Sequence, residues 1–484
     1  MKKNHFIARR KIGGYLMLGV AILTLGSCAQ DGFDNGERFA TVSGVKLESP
    51  NADSIVITPD ASGAKQTISW PVVFGAGGYI VSVYDVTTPD KPVAVDSIEN
   101  KLVDGTAITL SRKEDTYYKF SIKSAANVKA NNTAAEKNSE ISYNTYTPTY
   151  KTIPDGTDLT QYFAAKALPA DSTSIDLCFD LVEGGSYTMS GVITPGLNKI
   201  TLRCTNKNKR PTVIFTGNAG FIMDAGLTLK NINIDCGTST ASFVSMNATP
   251  LIKNIVNKTY YFLKDKLNIQ SCNIDKVNNY FVYDNKQVVY VENVVVNNCI
   301  VHLTPAATLD GVFYLNKGGN ILSLTVSNST FYETGSYDYK YFYQTSGRAK
   351  NISYASNTTT YVNSTFYNVC NAGQWGNYNG MAGQANSYWN MTDCIFAYCS
   401  PLGVANKFLA GRKTQPTATF KNNTYMQKGT NGVAFDNPAG YDDTGTDIKE
   451  NPGFKNPDGA DFTISNATQV NAKTGDPRWL PSAE

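Results

Sequence analysis

Side chains able to hold a sugar are crowded into one part of this chain. The segment YDYKYFYQTSGR (337–348) sets Tyr337, Tyr339, Tyr341 and Tyr343 at every second position, which is one face if the segment is a strand. GQWGNYNG (373–380) puts Trp375 and Tyr378 in a glycine-rich loop, and SYWN (387–390) adds Tyr388 and Trp389. Aromatic faces stack on the C–H faces of sugar rings, and Asn, Gln or Arg neighbours bond hydroxyls or a uronate carboxylate. The candidate ligand-binding set is therefore Tyr337, Tyr339, Tyr341, Trp375, Tyr378, Trp389 and Arg348. The competing reading is that these rings pack a long loop against the wall beneath it.

Residues for catalysis are sparser. A hydrolase of the polygalacturonase type needs clustered carboxylates and usually a Gly-His-Gly. The chain has two histidines, and beyond His5 only His302 remains, in IVHLT (300–304), where it reads as an ordinary strand residue. A lyase of the pectate-lyase type needs carboxylates that hold calcium and an Arg or Lys base. YDDTGTD (441–447), with Asp442, Asp443 and Asp447, is the richest acidic cluster; it reads either as a calcium site or as a solvated loop. Arg348, Lys350, Arg412 and Lys413 are the basic candidates. Apart from that calcium, no cofactor or metal is expected: the cysteines form no CxxC pair, which argues against zinc of the Cys/His kind. No nucleophile elbow, P-loop or dinucleotide fingerprint is present.

The elements that must position these residues repeat. LTLKNINID (227–235), LNIQSCNID (267–275), YVENVVVNNCIV (290–301), LTVSNSTFY (324–332), TYVNSTFYN (360–368), WNMTDCIFA (389–397) and ATFKNNTYM (418–426) share one plan. An alternating apolar stretch leads to Asn, Asp or Ser, then a small residue or Cys, then an apolar or aromatic pair. Aligning Ile234, Ile274, Val301, Phe331, Phe366, Phe396 and Tyr425 gives offsets of 40, 27, 30, 35, 30 and 29. Irregular spacing near 30 around a short strand is the mark of a parallel β-helix, whose coils bury their inward faces by stacking. Cys272, Cys299 and Cys394 then form a buried column, with Thr330, Thr365 and Thr424 at or beside it; a local Cys394–Cys399 bridge stays open. Asn231, Asn328, Asn363 and Asn422 fall at the bend after a strand, where Asn tolerates left-handed backbone. The 35-residue offset implies a longer loop on that coil, carrying the Tyr337–Tyr343 run.

Residues 43–148 alternate with period 2 in QTISWPV (66–72), GGYIVSVYDV (77–86) and TYYKFSIKSAAN (116–127). The order Trp70, then Gly-Tyr, then Tyr-x-Phe-x-Ile resembles a fibronectin type III sandwich, with Tyr118 near the tyrosine-corner position. The N-terminus has a basic start, an apolar stretch too short to span a bilayer, and LGSC (25–28), which resembles a bacterial lipobox with Cys28 as the lipidated residue. The predicted organisation is a signal peptide (1–27), a lipidated tether (28–42), a fibronectin type III-like β-sandwich (43–148) and a right-handed parallel β-helix with a C-terminal cap (149–484): an all-β protein anchored to the outer membrane by lipid and facing the cell exterior. With the five basic residues of the signal set aside, 38 basic residues stand against 40 acidic ones. That balance speaks against a nucleic-acid partner.

Signal, lipobox, fibronectin-like module and Asn-rich β-helix together resemble Bacteroidetes surface lipoproteins carrying the paired domains DUF4957 and DUF5123. The resemblance implies a setting beside polysaccharide-utilisation machinery and a glycan-uptake transporter as partner. It rests on architecture and repeat register, without a catalytic signature. Three readings follow, in this order: a glycan-binding surface lipoprotein for pectin-like or other polysaccharide, a β-helix polysaccharide lyase or hydrolase, and a structural or adhesive surface protein.

Overall fold

The computed structural model describes residues 42–60, 65–88, 90–165, 168–169, 175–257, 260–346, 356–378, 381, 386–408, 417–430, 432–436 and 441–481. Cys28, Arg348, Lys350, Arg412 and Lys413 lie outside the described residues. The chain forms two compact units that meet between Thr147 and Pro148.

The first unit is a β-sandwich. One antiparallel sheet contains Val56–Pro59, Lys65–Ser69 and Ala107–Ser111; the other orders Val93–Ala94, Tyr79–Asp85, Tyr117–Ser124 and Ser139–Asn144, with Lys101–Val103 also on Tyr79–Asp85. Alternation decides what is buried. Tyr118, Phe120 and Ile122 face Val81, Val83 and Trp70 in one core. Trp70 meets Tyr79 edge-on at 5.5 Å and stacks on Phe120 at 5.8 Å. The Tyr118 hydroxyl accepts the Lys113 N–H at 2.8 Å, five residues upstream, which is a tyrosine-corner arrangement.

The second unit is a parallel β-helix with three walls. The first wall is a ladder of ten strands from Thr149–Ile153 to Thr417–Lys421, with Ile255–Asn257 and Tyr260–Leu263 attached at its side. The second runs from Ser186–Met189 to Thr424–Gly429 and ends in an antiparallel hairpin strand, Gly432–Phe435. The third runs from Val192–Ile193 to Gln374–Asn377. From Asp176 to Asn377 the coils visit the walls in that order; the two coils after that have no described strand on the third wall. The residues aligned in the sequence are neighbours on the second wall: Ile234 pairs with Ile274, then Val301, Phe331, Phe366, Phe396 and Tyr425. All seven are buried, and Phe366 stacks on Phe396 at 5.0 Å.

The bend between the first and second walls is the same in every one of these coils. Asn231, Ser271, Asn298, Asn328, Asn363, Asp393 and Asn422 have φ between 45° and 55°. Side chains link the bends along the stack: Asn328 Nδ2 donates to Asn297 Oδ1 at 3.0 Å, and Asn422 Nδ2 to Asp393 Oδ1 at 2.8 Å. From Cys272 to Cys394 the next residue turns inward and bonds the carbonyl two positions back. Cys299 reaches Asn297 O, Ser329 reaches Ser327 O, Ser364 reaches Val362 O and Cys394 reaches Thr392 O. The cysteine column thus continues as serine, and Thr330 and Thr365 stand one place beside it, level with Ile300 and Ile395. The eight described cysteines are buried free thiols; Cys399 bonds Phe366 O at 3.5 Å, and Cys394 and Cys399 form no bridge.

The C-terminal segment, residues 450–480, packs on the second wall and runs back along the bends as a strap. Lys473 O accepts from Asn363 Nδ2, Gly475 N donates to Asp393 O, Asp476 Oδ2 accepts from Thr330 Oγ1, and Arg478 Nη2 donates to Asn298 Oδ1 at 2.8 Å. Trp479 donates its indole N–H to Thr330 Oγ1 at 2.7 Å.

A left-handed bend costs an L-residue other than Gly, Asn or Asp about 1–2 kcal/mol. Asn328→Ala should lower the unfolding free energy of the full chain by about that amount, while Asn328→Gly, which loses only the amide link, should cost less. Denaturant unfolding of both variants checks this; equal losses would place the cost in the amide and not in the backbone.

Candidate functional site

Most of the rings singled out in the sequence are inside the β-helix. Tyr339, Trp375, Tyr378 and Trp389 are each at most 1% exposed, so they are core residues and not ligand contacts. The cause is local geometry. Residues 334–340 turn between the second and third walls, and the strand begins only at Tyr341, so period-2 alternation does not extend over the whole run. Phe342 and Tyr343 then both point inward; Phe342 stacks on Trp375 at 4.5 Å, and the Tyr343 hydroxyl donates to Asn320 Oδ1. The Tyr339 hydroxyl donates to Asn279 O at 2.6 Å. Tyr378 folds back over Gly376, where a Cβ would lie 2.1 Å from its ring. On the strand Ser387–Thr392 the outward ring is Tyr388, and Trp389 faces the core. The strands Tyr341–Thr345 and Asn357–Val362 are separated by more sequence than Phe313–Leu315 and Asn320–Ser327 one coil earlier, so the extra length follows the tyrosines. Of the predicted ligand set, Tyr337 (52% exposed) and half-buried Tyr341 remain at the surface.

Two surface features flank the 334–340 turn. The first is a groove of about 630 Å³ lined by Glu333, Thr334, Gly335, Tyr367, Asn368, Tyr398, Lys428, Gly432, Val433, Pro457 and Asp458. Tyr367 and Tyr398 are half-buried and meet edge-on at 5.7 Å. Tyr367 is braced from below by Phe454 and Phe462 of the strap. Asn368 spends its amide N–H on Glu333 O. Lys428 is exposed at the rim, with no carboxylate partner among the described residues.

The second feature is a tyrosine stack on the outer face of the third wall. Tyr280 lies 4.5 Å from Tyr283 and 5.2 Å from Tyr314, all three near-parallel and half-buried. At Gly311, just before the strand Phe313–Leu315, a Cβ would lie 3.3 Å from Tyr341 O and 3.5 Å from Tyr314 Cδ2. Asp310 and Lys340 form a 2.9 Å ion pair beside the stack, and this bond raises the lysine's pKa. Burial pushes Tyr280 up to about 12, so its phenol stays protonated. The sequence carried a signal for this site that the reading missed. YFVY (280–283) and VFY (312–314) end in tyrosines 31 residues apart, one coil, and they pair directly as Tyr283↔Tyr314.

Polar groups line the second wall behind the groove. His302 Nδ1 is 2.6 Å from Asp275 Oδ1, His302 Nε2 is 2.7 Å from Thr334 Oγ1, and the imidazole stacks on Tyr332 at 4.3 Å. Lys276 bridges Asp235 and Asp275. Burial raises the Asp275 carboxyl's pKa, but bonds from His302 and Lys276 outweigh it, and the net pKa lies below the usual range. Beneath the groove, burial and a hydrogen bond to Asp338 push Glu333 up to about 10, so this acid is neutral. The predicted calcium cluster is otherwise engaged: Asp442 is buried and accepts from Tyr425 at 2.8 Å and Thr444 at 2.7 Å, and Asp447 pairs with Lys449 at 3.5 Å. Among the described residues no group of three or more His, Cys, Asp or Glu is placed to hold a metal.

Together the folds define a β-sandwich followed by a parallel β-helix with an aromatic groove at one wall-to-wall turn. Three family models match the chain, each a domain of unknown function: DUF4992 over residues 1–182, DUF4957 over 185–334 and DUF5123 over 359–479. The chain therefore carries the DUF4957–DUF5123 pair. The groove draws Glu333 and Thr334 from the first of the pair, and Tyr367, Asn368, Tyr398, Lys428 and Asp458 from the second. Neither the curated proteins nor the solved structures give a match.

Glu333 holds its proton more tightly in the folded protein than in the unfolded chain. Its contribution is therefore fully present below the ordinary Glu pKa and is lost as pH rises toward about 10. Glu333→Gln keeps a donor for Asp338 and an acceptor for the Cys370 N–H but cannot ionise. The variant should gain on wild type in melting temperature between about pH 5 and about pH 9; a difference constant over that range would contradict the buried neutral acid.

Proposed function

We propose that this chain is a lipid-anchored outer-membrane protein whose β-helix captures polysaccharide at the cell exterior for a glycan-uptake system. The observation that carries this reading is the pair of outward tyrosine surfaces on either side of the 334–340 turn: Tyr367 and Tyr398 in the groove, and Tyr280, Tyr283 and Tyr314 on the third wall. Exposed Tyr337 sits on the turn between them. Sugar C–H faces pack against such rings, and a sugar chain is long enough to touch several. Lys428 at the rim supplies a cation for a uronate carboxylate, which favours acidic, pectin-like glycans. Two carboxyls line the groove, Glu333 and Asp458, and Glu333 is buried and spent on Asp338 and the Cys370 N–H, which weakens the hydrolase reading.

Cleavage is the second reading, and one observation favours it. Asp275, His302 and Thr334 form a hydrogen-bonded series that ends at the groove wall. In that order Asp275 orients the imidazole and His302 faces the threonine hydroxyl, as in other nucleophile–base–orienter arrangements.

The mature chain, run by affinity electrophoresis through gels of neutral and uronate-rich polysaccharides, should be retarded in at least one acidic gel. The double variant Tyr367→Ala/Tyr398→Ala should weaken the apparent affinity by about tenfold. Retardation unchanged by the double variant would move the site elsewhere. Reducing ends or unsaturated products that vanish in His302→Ala would shift the function to catalysis.

A further inference from the structure

One end of the β-sandwich is apolar and open. Residues 71–78, which precede the strand Tyr79–Asp85, and residues 125–135, which follow Tyr117–Ser124, are clasped together there. Gly77 N donates to Ala125 O at 3.1 Å, and buried Asn132 donates from Nδ2 to Gly75 O at 3.0 Å. The same amide donates to Val42 O at 2.8 Å, and Gly44 N donates to Ala130 O at 2.9 Å. The first described residues of the chain are therefore part of this end. On it Phe74 is 77% exposed and Val128 90% exposed, and Val42, Val45 and Val72 are exposed beside them. The two loops contain no acidic residue, and their one charged side chain is Lys129. Single exposed apolar residues need no explanation, but five on one clasped tip mark a contact surface.

We propose that this tip seats on the lipid surface to which Cys28 is anchored. The proposal rests on the lipidation of Cys28 put forward above and is independent of what the β-helix binds. Val42 lies 14 residues after Cys28. A chain of that length spans at most about 50 Å and, if flexible, averages about 20 Å end to end. The tether is attached at this end of the domain and keeps it within that distance of the bilayer. Tethering converts the contact into an intramolecular event at roughly millimolar effective concentration, so a weak interfacial affinity is enough. Phe74 and Val128 enter the headgroup–acyl boundary, Lys129 reaches up to the phosphates, and the clasping hydrogen bonds keep the loop backbone satisfied as water leaves. The sandwich then acts as a foot that sets the orientation of the anchored domain.

The test uses the full chain, processed and purified from membranes. The mass of the N-terminal peptide reads the lipid on Cys28. Phe74→Trp is reconstituted in phosphatidylcholine–phosphatidylglycerol vesicles with plain or brominated acyl chains. Val93→Trp serves as the control, because Val93 is 59% exposed and pairs with Asp85, at the far end of the strand Tyr79–Asp85. Brominated lipid should remove the emission added by Phe74→Trp, which should also shift to the blue, and should spare that added by Val93→Trp. Val128→Trp should behave as Phe74→Trp does. An unacylated Cys28 overturns the proposal. So does an acylated chain in which Phe74→Trp and Val128→Trp are quenched no more than Val93→Trp, which would leave the tip to a protein partner or a second copy. Polysaccharide retardation of the same preparations reports the β-helix separately, so failure of one reading does not imply failure of the other.

Discussion

The β-helix depends on one backbone constraint, the left-handed residue between the first and second walls. From Asn231 to Asn422 it recurs in each coil with φ near +50°. Counting from it fixes the rest. One residue on, from Cys272 to Cys394, is the small side chain that bonds back to the preceding strand. Three on is the core column from Ile234 to Tyr425. Four on is the outward row Asp235, Asp275, His302, Tyr332 and Tyr367. Because side chains alternate with period 2, a slip of one residue would bury that row and expose the aromatic column. The bends hold register, and register decides which face carries chemistry.

The outward row changes character along the stack. It is charged in the early coils, where Lys276 ties Asp235 to Asp275, and aromatic in the later ones. The aromatic part lies where the strap packs. Phe462 contacts Tyr332 and Tyr367, and the next two residues of the row, Ala397 and Met426, are buried in a small core with Ile464. The groove is the space left between the strap, the terminal hairpin and the turn at Thr334. Its shape therefore depends on residues at the C-terminal edge of the DUF4957 match and on residues across the DUF5123 match.

The repeat was legible in the sequence because stacking imposes like residues on like positions, so Asn328 and Asn363 announce the same bend. Trp70 and Tyr118 were legible for a similar reason, since alternation alone sorts them to the core. The orientation of Tyr339, Trp375, Tyr378 and Trp389 was not. It depends on where a turn gives way to a strand, and one residue of offset reverses inside and outside. Trp389 and Tyr388 show how little separates the two outcomes. The tyrosines of the third wall were hidden because its strands are short: Val282–Tyr283 has too few residues to display a period. The groove was illegible for a different reason, since Tyr367, Tyr398, Lys428 and Asp458 meet only after the strap has folded back.

The claim that the outward tyrosines beside the 334–340 turn, and not the buried rings, hold the ligand is most directly tested by a crystal structure. The full chain would be soaked with an oligosaccharide cut from the polysaccharide that retards it best. The account predicts sugar rings packed on Tyr367 and Tyr398 within van der Waals contact, with density extending past Tyr337 toward Tyr280 and Tyr314. Sugar bound on another wall or on the sandwich domain, with the groove filled by solvent alone, would contradict it.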